Sequence, residues 1–280
     1  MKTPDISILL PSRGRTDMLK RSIMSLLDHA QDPEKLQLLI GFDEDDEISS
    51  AWFVENIQPL IEASGCQFTA MIFPPLGYHR LHDYVNSLAA EAKGEWLFFW
   101  NDDAVMESDA WDERIRECSG KFLVLRIPTH NGHPYAIFPI VPREWYTLFG
   151  YISSHPLNDA HISQMAYMLD IMHNIDVTVT HDRFDLTGKN QDATFEARNV
   201  LALEGNPKNP QDFNHKTIRF RRMEDCSKIC LHLEHKGVDM SWFRNVMAGK
   251  QDPWVKMMSE EYDPNQQIAR IDINNRKVVQ

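Results

Sequence analysis

Asn101-Asp102-Asp103, directly after the aromatic run Trp96 to Trp100, are the first residues of this chain whose types and placement could do chemistry. Ionised carboxylates at the end of a buried strand are costly to hold as charges, and a divalent cation with oxygen ligands is a natural partner for them. Asn and Asp also favour turns, so a plain strand-ending turn is the competing reading. A second acidic group, Asp43-Glu44-Asp45-Asp46-Glu47, follows the apolar run Leu36 to Phe42. Blocks of like charge repel and are commonly solvated loops. Asp43 differs from its neighbours by position: open α/β sheets bind ligands beyond the carboxyl ends of their strands, and Asp43, Ser12 and Asp103 all fall at such ends. A carboxylate there can accept hydrogen bonds from a ribose or a base. The third group, Pro11-Ser12-Arg13-Gly14-Arg15, ends one strand and opens a helix, whose free N–H groups can meet a phosphate; an ordinary surface turn fits the same residues. Neither G-x-G-x-x-G nor G-x-x-x-x-G-K-[ST] occurs, which argues against ordinary Rossmann oxidoreductases and phosphate-loop kinases.

These groups need a scaffold, and the first hundred residues read as βαβαβαβ. Ile6 to Leu10 is apolar throughout, as a parallel strand buried on both faces should be. Thr16 can cap the next helix, Asp17 suits its first turn, and Leu19, Ile23, Leu26 and Leu27 form one apolar stripe. Leu36 to Phe42 is the second strand, and 47–64 reads as one helix closed by Gly65. A third strand around 68–73, a helix over 78–93 ended by Gly94, and a fourth strand over 95–100 follow. Beyond these, 111–118 reads as helix, 121–127 and 135–141 as strands, 159–173 as helix and 176–180 as a short strand. Residues from about 206 onward break into Asn, Pro, Asp and Lys and resume as helices near 223–235 and 242–247. The expected organisation is residues 1–205 as one α/β domain, split into halves at about 105, with 206–280 as a helical C-terminal appendage.

The segment Asn86 to Asp103 resembles the central signature of family 2 glycosyltransferases with the GT-A fold. The register matches at Asn86, Ala92, Gly94, Glu95 and Asp103, from an Asn through an Ala-x-Gly-Glu-aromatic step to a strand ending in Asp-x-Asp. Ser7 to Arg15 is similar to the family's first strand and its Pro-Thr-x-x-Arg turn. The matches cover about the first 105 residues. Departures are Asn101 at the first position of Asp-x-Asp, Leu88 where a Gly is usual, and the acidic block in place of Asp-Gly-Ser-x-Asp.

The resemblance implies a GT-A-like, Rossmann-type mixed sheet flanked by helices, and transfer of a sugar, with inversion, from a nucleotide-diphosphate donor, a UDP-sugar before others, to an acceptor hydroxyl. It further implies a Mn²⁺ or Mg²⁺ ion on Asp103, with Asn101 and Asp102 beside the nucleotide, and Pro11, Ser12, Arg13, Arg15, Asp43 and Asn86 lining the nucleotide-sugar site. A carboxylate at the start of a later helix would take the acceptor proton, and Asp159 in Leu157-Asn158-Asp159-Ala160-His161 is the best match; an N-cap Asp is the plainer reading. A later His often completes the metal site in this fold, which points to His181, with Asp182 and Asp185 as competitors.

The chain has 280 residues with 29 Lys plus Arg against 41 Asp plus Glu, a formal charge of −12, which argues against a generic nucleic-acid coat. Its 42% hydrophobic content suffices for a large core, and the absence of a 20-residue apolar run speaks against membrane insertion. Four cysteines without framework spacing fit a reducing, cytoplasmic setting. Cys226, Cys230, His232 and His235 match no common structural zinc spacing. Lys216 to Arg222 is the one basic patch with an interleaved aromatic, read first as a strand with a solvated face, though it could also hold the diphosphate or a negatively charged acceptor such as a modified DNA base. A GT-A-shaped binding protein that has lost catalysis is the alternative in which Asn101 carries most weight.

Overall fold

The computed structural model describes residues 3–128, 133–182, 208–254, 270–272 and 277–279. The domain boundary expected near 205 and Asp185 lie outside them.

Strands β1 (Ile6–Pro11), β2 (Leu36–Asp43), β3 (Gln67–Phe73) and β4 (Trp96–Phe99) form four adjacent parallel strands of a seven-stranded sheet. Strands β6 (Val124–Arg126), β7 (Ile140–Pro142) and β8 (Met172–Asn174) extend it, in the order β3-β2-β1-β4-β7-β6-β8. β7 runs antiparallel to both β4 and β6, so the sheet is mixed. Every residue of β2 and β4 is buried, matching apolar runs with helices on both faces. Between β4 and β6, β5 (Ala104–Met106) leaves the sheet and pairs antiparallel with β9 (Val179–His181), and α5 (Trp111–Arg116) follows β5.

Helix α1 (Thr16–Asp28) buries its expected stripe, but Arg15 rather than Thr16 is the N-cap residue, its carbonyl accepting from Leu19 N at 2.8 Å. The expected helix over 47–64 is two, α2 (Glu47–Asn56) and α3 (Gln58–Ser64). Pro59 is the reason: inside a continuous helix its ring would clash with the carbonyl four residues back, and it is tolerated here in the first turn of α3. Helix α4 (Leu81–Ala90) is preceded by a tight 3-10 turn over Tyr78–Arg80. Gly94 must be glycine, because an added Cβ would come within 2.6 Å of Ser7 N and 2.8 Å of the Ile6 carbonyl carbon.

Helices α6 (Arg143–Phe149) and α7 (Asn158–Leu169) cover the second face with α4, and α8 (Lys216–His235) and α9 (Ser241–Met247) pack against α7. Lys216 to Arg222 is therefore the start of a 20-residue helix, not a strand. The inward stripe Arg222, Asp225, Cys226, Ile229, Cys230 and Leu233, at steps of three and four, is what settles it as helix. Cys226, Ile229, Cys230, Leu233 and Phe243 share one core with Leu9, Leu39, Leu97 and Phe99 of the sheet. A hairpin of β10 (Arg270–Asp272) and β11 (Lys277–Val279) lies near the C-terminus. No helix among the described residues is long and apolar enough to cross a membrane.

Candidate functional site

The carboxyl ends of β1, β2 and β4 lie side by side, with Pro11 in register with Gly41 and Leu9 with Phe99. Side chains from all three ends join in two charged groups. In the first, Ser12 Oγ donates to Asp102 Oδ2 at 2.7 Å, and Arg15 Nη1 donates to Asp102 Oδ1 at 2.8 Å and reaches Asp103 Oδ2 at 3.5 Å. His181 Nε2 lies 3.1 Å from Asp103 Oδ1. The ribbon of β5 and β9 makes this last contact: Ala104 pairs with His181, and Asp182 N donates to Asp103 O at 2.8 Å. A histidine 78 residues downstream is thus carried back to the acidic turn by backbone pairing.

The turn itself is fixed from below. Trp100 Nε1 donates to Ser22 Oγ at 2.7 Å, and Ser22 Oγ donates to the Asn101 carbonyl at 3.0 Å. The buried carboxyls of this group diverge. Burial pushes Asp102 upward against the pull of Arg15, and the adjacent charge of Asp103 adds to the rise. Burial also works against ionisation of Asp103, but the His181 bond and charge, with Arg15, outweigh it and hold this carboxyl below its usual value. One member of the pair is therefore kept as a carboxylate.

The second group is built on Asp43. Its Oδ2 accepts from Arg13 Nη1 at 2.6 Å, and its Oδ1 accepts from the Tyr84 hydroxyl of α4. Arg13 also clasps Asp45 with both terminal nitrogens, and these bonds, with the one to Asp43, raise its pKa. Burial, then the bond to Asp43, pushes the Tyr84 phenol up to about 12. Asp46 caps α2 through Ser49 N and accepts from Gly14 N at 2.7 Å. Gly14 lies at φ +67°, a conformation that favours glycine, which lets the turn after β1 meet the turn after β2. Most of the acidic block therefore works as a clamp on 13–14. Tyr84 carried no sequence signal beyond its place on an amphipathic helix.

Two expected residues lie apart from these groups. Asn86 spends its amide on the backbone before α7: Oδ1 accepts from Ile152 N at 2.7 Å and Ser153 N at 3.2 Å, and Nδ2 donates to Ser153 O at 2.9 Å. Asp159 stands in the first turn of α7, half-buried, while Leu157 is the N-cap residue. Asp182 is engaged by Arg21 Nη2 at 2.5 Å. Cys226 and Cys230 face the core, whereas His232 Nε2 contacts Glu144 Oε1 at 2.7 Å.

No three His, Cys, Asp or Glu side chains among the described residues gather as a ready-made metal cage. The donor chemistry of Asp103 and His181 nevertheless suits one cation: a carboxylate oxygen and an imidazole nitrogen, hydrogen-bonded to each other at 3.1 Å, are both acceptable ligands for Mn²⁺. Two protein ligands suit an ion whose remaining positions are filled by phosphate oxygens and water.

No protein-family model matches the sequence, and no curated protein matches it. Solved structures do. TarS 1-349 from S. aureus in complex with UDP is 11% identical, with 64% of this chain and 58% of that chain covered at a TM-score of 0.48. The chain thus spans less than two thirds of that chain's length. The mannosyltransferase PcManGT from Pyrobaculum calidifontis, in complex with GDP-Man and Mn2+, is 10% identical, with 92% of this chain and 85% of that chain covered at a TM-score of 0.52. The likeness to the mannosyltransferase establishes the GT-A-like fold.

Proposed function

We propose that this chain is a metal-dependent glycosyltransferase that moves a sugar from a nucleotide-diphosphate donor to an acceptor hydroxyl. The observation that carries the reading is the Asp103–His181 pair, 3.1 Å apart at the end of β4, beside the Ser12, Arg13 and Arg15 turn. Asp103 and His181 would hold a Mn²⁺ or Mg²⁺ ion, which would supply positive charge against the diphosphate leaving group. Arg15 and Ser12 keep Asp102 oriented at its edge. Asp43, fixed by Arg13 and Tyr84, accepts hydrogen bonds from the nucleoside. Asp159, in the first turn of α7, takes the acceptor proton, and Asn86 acts as a positioning residue by gripping the segment that leads into that turn. The inverting outcome belongs to the same proposal.

The mannosyltransferase of similar fold is in complex with GDP-Man, so GDP-sugars belong in the test beside the UDP-sugars favoured by the sequence. The purified chain, given Mn²⁺ and a panel of UDP- and GDP-sugars, should hydrolyse one donor and gain thermal stability only when metal and nucleotide are present together. Failure of both responses across the panel sinks the enzyme reading. A metal-dependent shift without hydrolysis favours the second reading, a nucleotide-binding protein without catalysis, for which Asn101 in place of the usual Asp is the specific observation.

A further inference from the structure

We infer that the first two turns of α8, with the Phe149–Tyr151 corner beside them, bind a segment of single-stranded nucleic acid on the acceptor side of the molecule. Its purpose rests on the transferase reading, but the binding does not need it. The chain carries a net charge of −12, yet Lys216, Arg219 and Arg221 stand exposed on these turns, and Phe220 among them is 66% exposed. By helical spacing Lys216, Arg219 and Phe220 share one stripe, and Arg221 and Lys228 share the next. The second stripe lies over aromatic rings: Arg221 Cζ is 5.4 Å from the centre of Tyr151 and Lys228 Nζ is 5.7 Å from that of Phe149. Those two rings stack on each other with centroids 5.5 Å apart.

Acids nearby are few or already engaged. Asp225 is buried and takes the Tyr151 hydroxyl at 2.6 Å and Lys228 at 3.5 Å, Asp83 takes Arg80 at 2.5 Å, and Asp212 is buried. Glu224 is the exposed acid on the Arg221 stripe. Among the described residues no carboxylate pairs with Lys216, Arg219 or Arg221. α8 packs against α7, and Tyr151 under Arg221 belongs to the segment that leads into the first turn of α7, so the patch borders the turn that carries Asp159. Cations set around an exposed ring suit single strands, whose phosphates meet the cations while a base stacks on Phe220; the half-buried Phe149 and Tyr151 rings, already under Lys228 and Arg221, hold those cations in place, and cations alone would suit any polyanion.

The test is fluorescence anisotropy of the full chain with a labelled oligothymidylate of about 15 nucleotides, within the usual span of single-strand sites, without donor or metal. Three or four cations at about 0.7 each predict a slope of log affinity on log salt of about −2 to −3. K216A/R219A/R221A should weaken binding roughly a hundredfold at about 0.1 M salt. F220A should weaken oligonucleotide binding and leave long-chain polyphosphate binding unchanged. K93A/K121A, in the cleft at the amino ends of the strands, should change nothing. Melting temperatures of the variants check that each is folded. No binding at low salt, unchanged binding by the triple variant, or polyphosphate binding as tightly with F220A neutral overturns the inference. Oligonucleotide binding without any donor binding leaves it standing and sinks the transferase reading, and donor turnover without oligonucleotide binding does the reverse.

Discussion

The strand ends that carry Ser12, Asp43 and Asp103 and the start of α7 with the segment before it, which carry His161 and His155, fix their polar side chains by opposite means. At the strand ends each buried carboxylate is held by polar side chains from other elements: Asp43 by Arg13 and Tyr84, Asp102 by Arg15 and Ser12, Asp103 by Arg15 and His181. At the start of α7 the buried groups are imidazoles kept neutral. His155 hydrogen-bonds the Gln211 carbonyl through Nε2 and receives Leu157 N on Nδ1, and His161 contacts the Ser153 hydroxyl. Burial drives both below the ordinary histidine value, and the charge of Arg222 adds to it. One region sets buried carboxyls against arginines; the other keeps its buried imidazoles neutral.

The sharpest contrast should come from one substitution in each region. Asp103→Ala removes a carboxylate proposed to hold the ion, so turnover should fall about a thousandfold or more, the equivalent of about 4 kcal/mol, and the joint metal and nucleotide thermal shift should vanish. Asp159→Asn should leave that shift intact and lose transfer. Full activity in Asp159→Asn would remove Asp159 as the base, and a lost thermal shift in it would erase the division between the regions.

Acid should separate the regions next. His155 falls from 6.5 to about 4 in the fold. Between these values the unfolded chain binds a proton that the native state refuses, so stability is complete above about pH 6.5 and is lost as pH falls toward 4. At pH 5 this single group removes about 2 kcal/mol, and His161 acts in the same direction. His82, Arg222 and Asp212 face the same ring, and the first two oppose its protonation. Urea unfolding at pH 7 and pH 5 should reveal the loss, and His155→Gln should flatten it. The upward-shifted Asp102 changes stability in the opposite direction over the same interval, so the decisive quantity is the difference between the two proteins: an equal pH 7 to pH 5 change in the unsubstituted chain and in His155→Gln would mean that His155 is not a neutral strut of this region.

A smaller effect is expected at Tyr84, where the strand ends depend on a helix. Tyr84→Phe leaves the buried Asp43 Oδ1 without its hydroxyl donor and Leu76 N without its acceptor. It should cost about 1 kcal/mol of stability, since an unmade buried hydrogen bond is worth that much or more. Donor affinity should fall severalfold with turnover unchanged at saturation. A change in turnover alone would place Tyr84 outside the binding of the donor.

How much of this was legible in the sequence follows from the range of each interaction. Parallel strands and their helices are written in local apolar pattern, and Gly94 in its Ala-x-Gly-Glu step could be matched by order before its close approach to Ser7 was known. The pairing of His181 with Asp103 was expected from resemblance, but its means, a two-stranded ribbon joining residues 78 apart, left no local trace. Tyr84 on Asp43 and Asn86 on 152–153 were invisible for the same reason. Lys216 to Arg222 reads as a strand because β-branched and aromatic residues alternate there with cations; the deciding signal, the inward stripe, begins only at Arg222 and becomes apolar from Cys226 to Leu233. Pro59 was the local signal overlooked in 47–64.

The two arginines of the turn after β1 bring the comparison inside the charged region itself. Arg15 is 13% exposed and bridges two buried carboxylates, whereas Arg13 is 48% exposed and divides itself between Asp43 and the solvent-facing Asp45. Water and salt screen the second pair, and exposed ion pairs contribute little. Arg13→Ala should therefore shift stability by only about 0.5 kcal/mol, with Tyr84 still holding Asp43. Arg15→Ala should cost more, because Asp102 and Asp103 are then left as adjacent buried carboxyls with no guanidinium between them. Their mutual repulsion should make stability depend on added divalent cation, which can replace the lost charge. Chemical denaturation of both variants with and without Mn²⁺ measures this. Recovery by Mn²⁺ confined to Arg15→Ala fits a carboxylate pair able to take a metal; equal behaviour of the two variants would mean that burial does not set the value of these ion pairs.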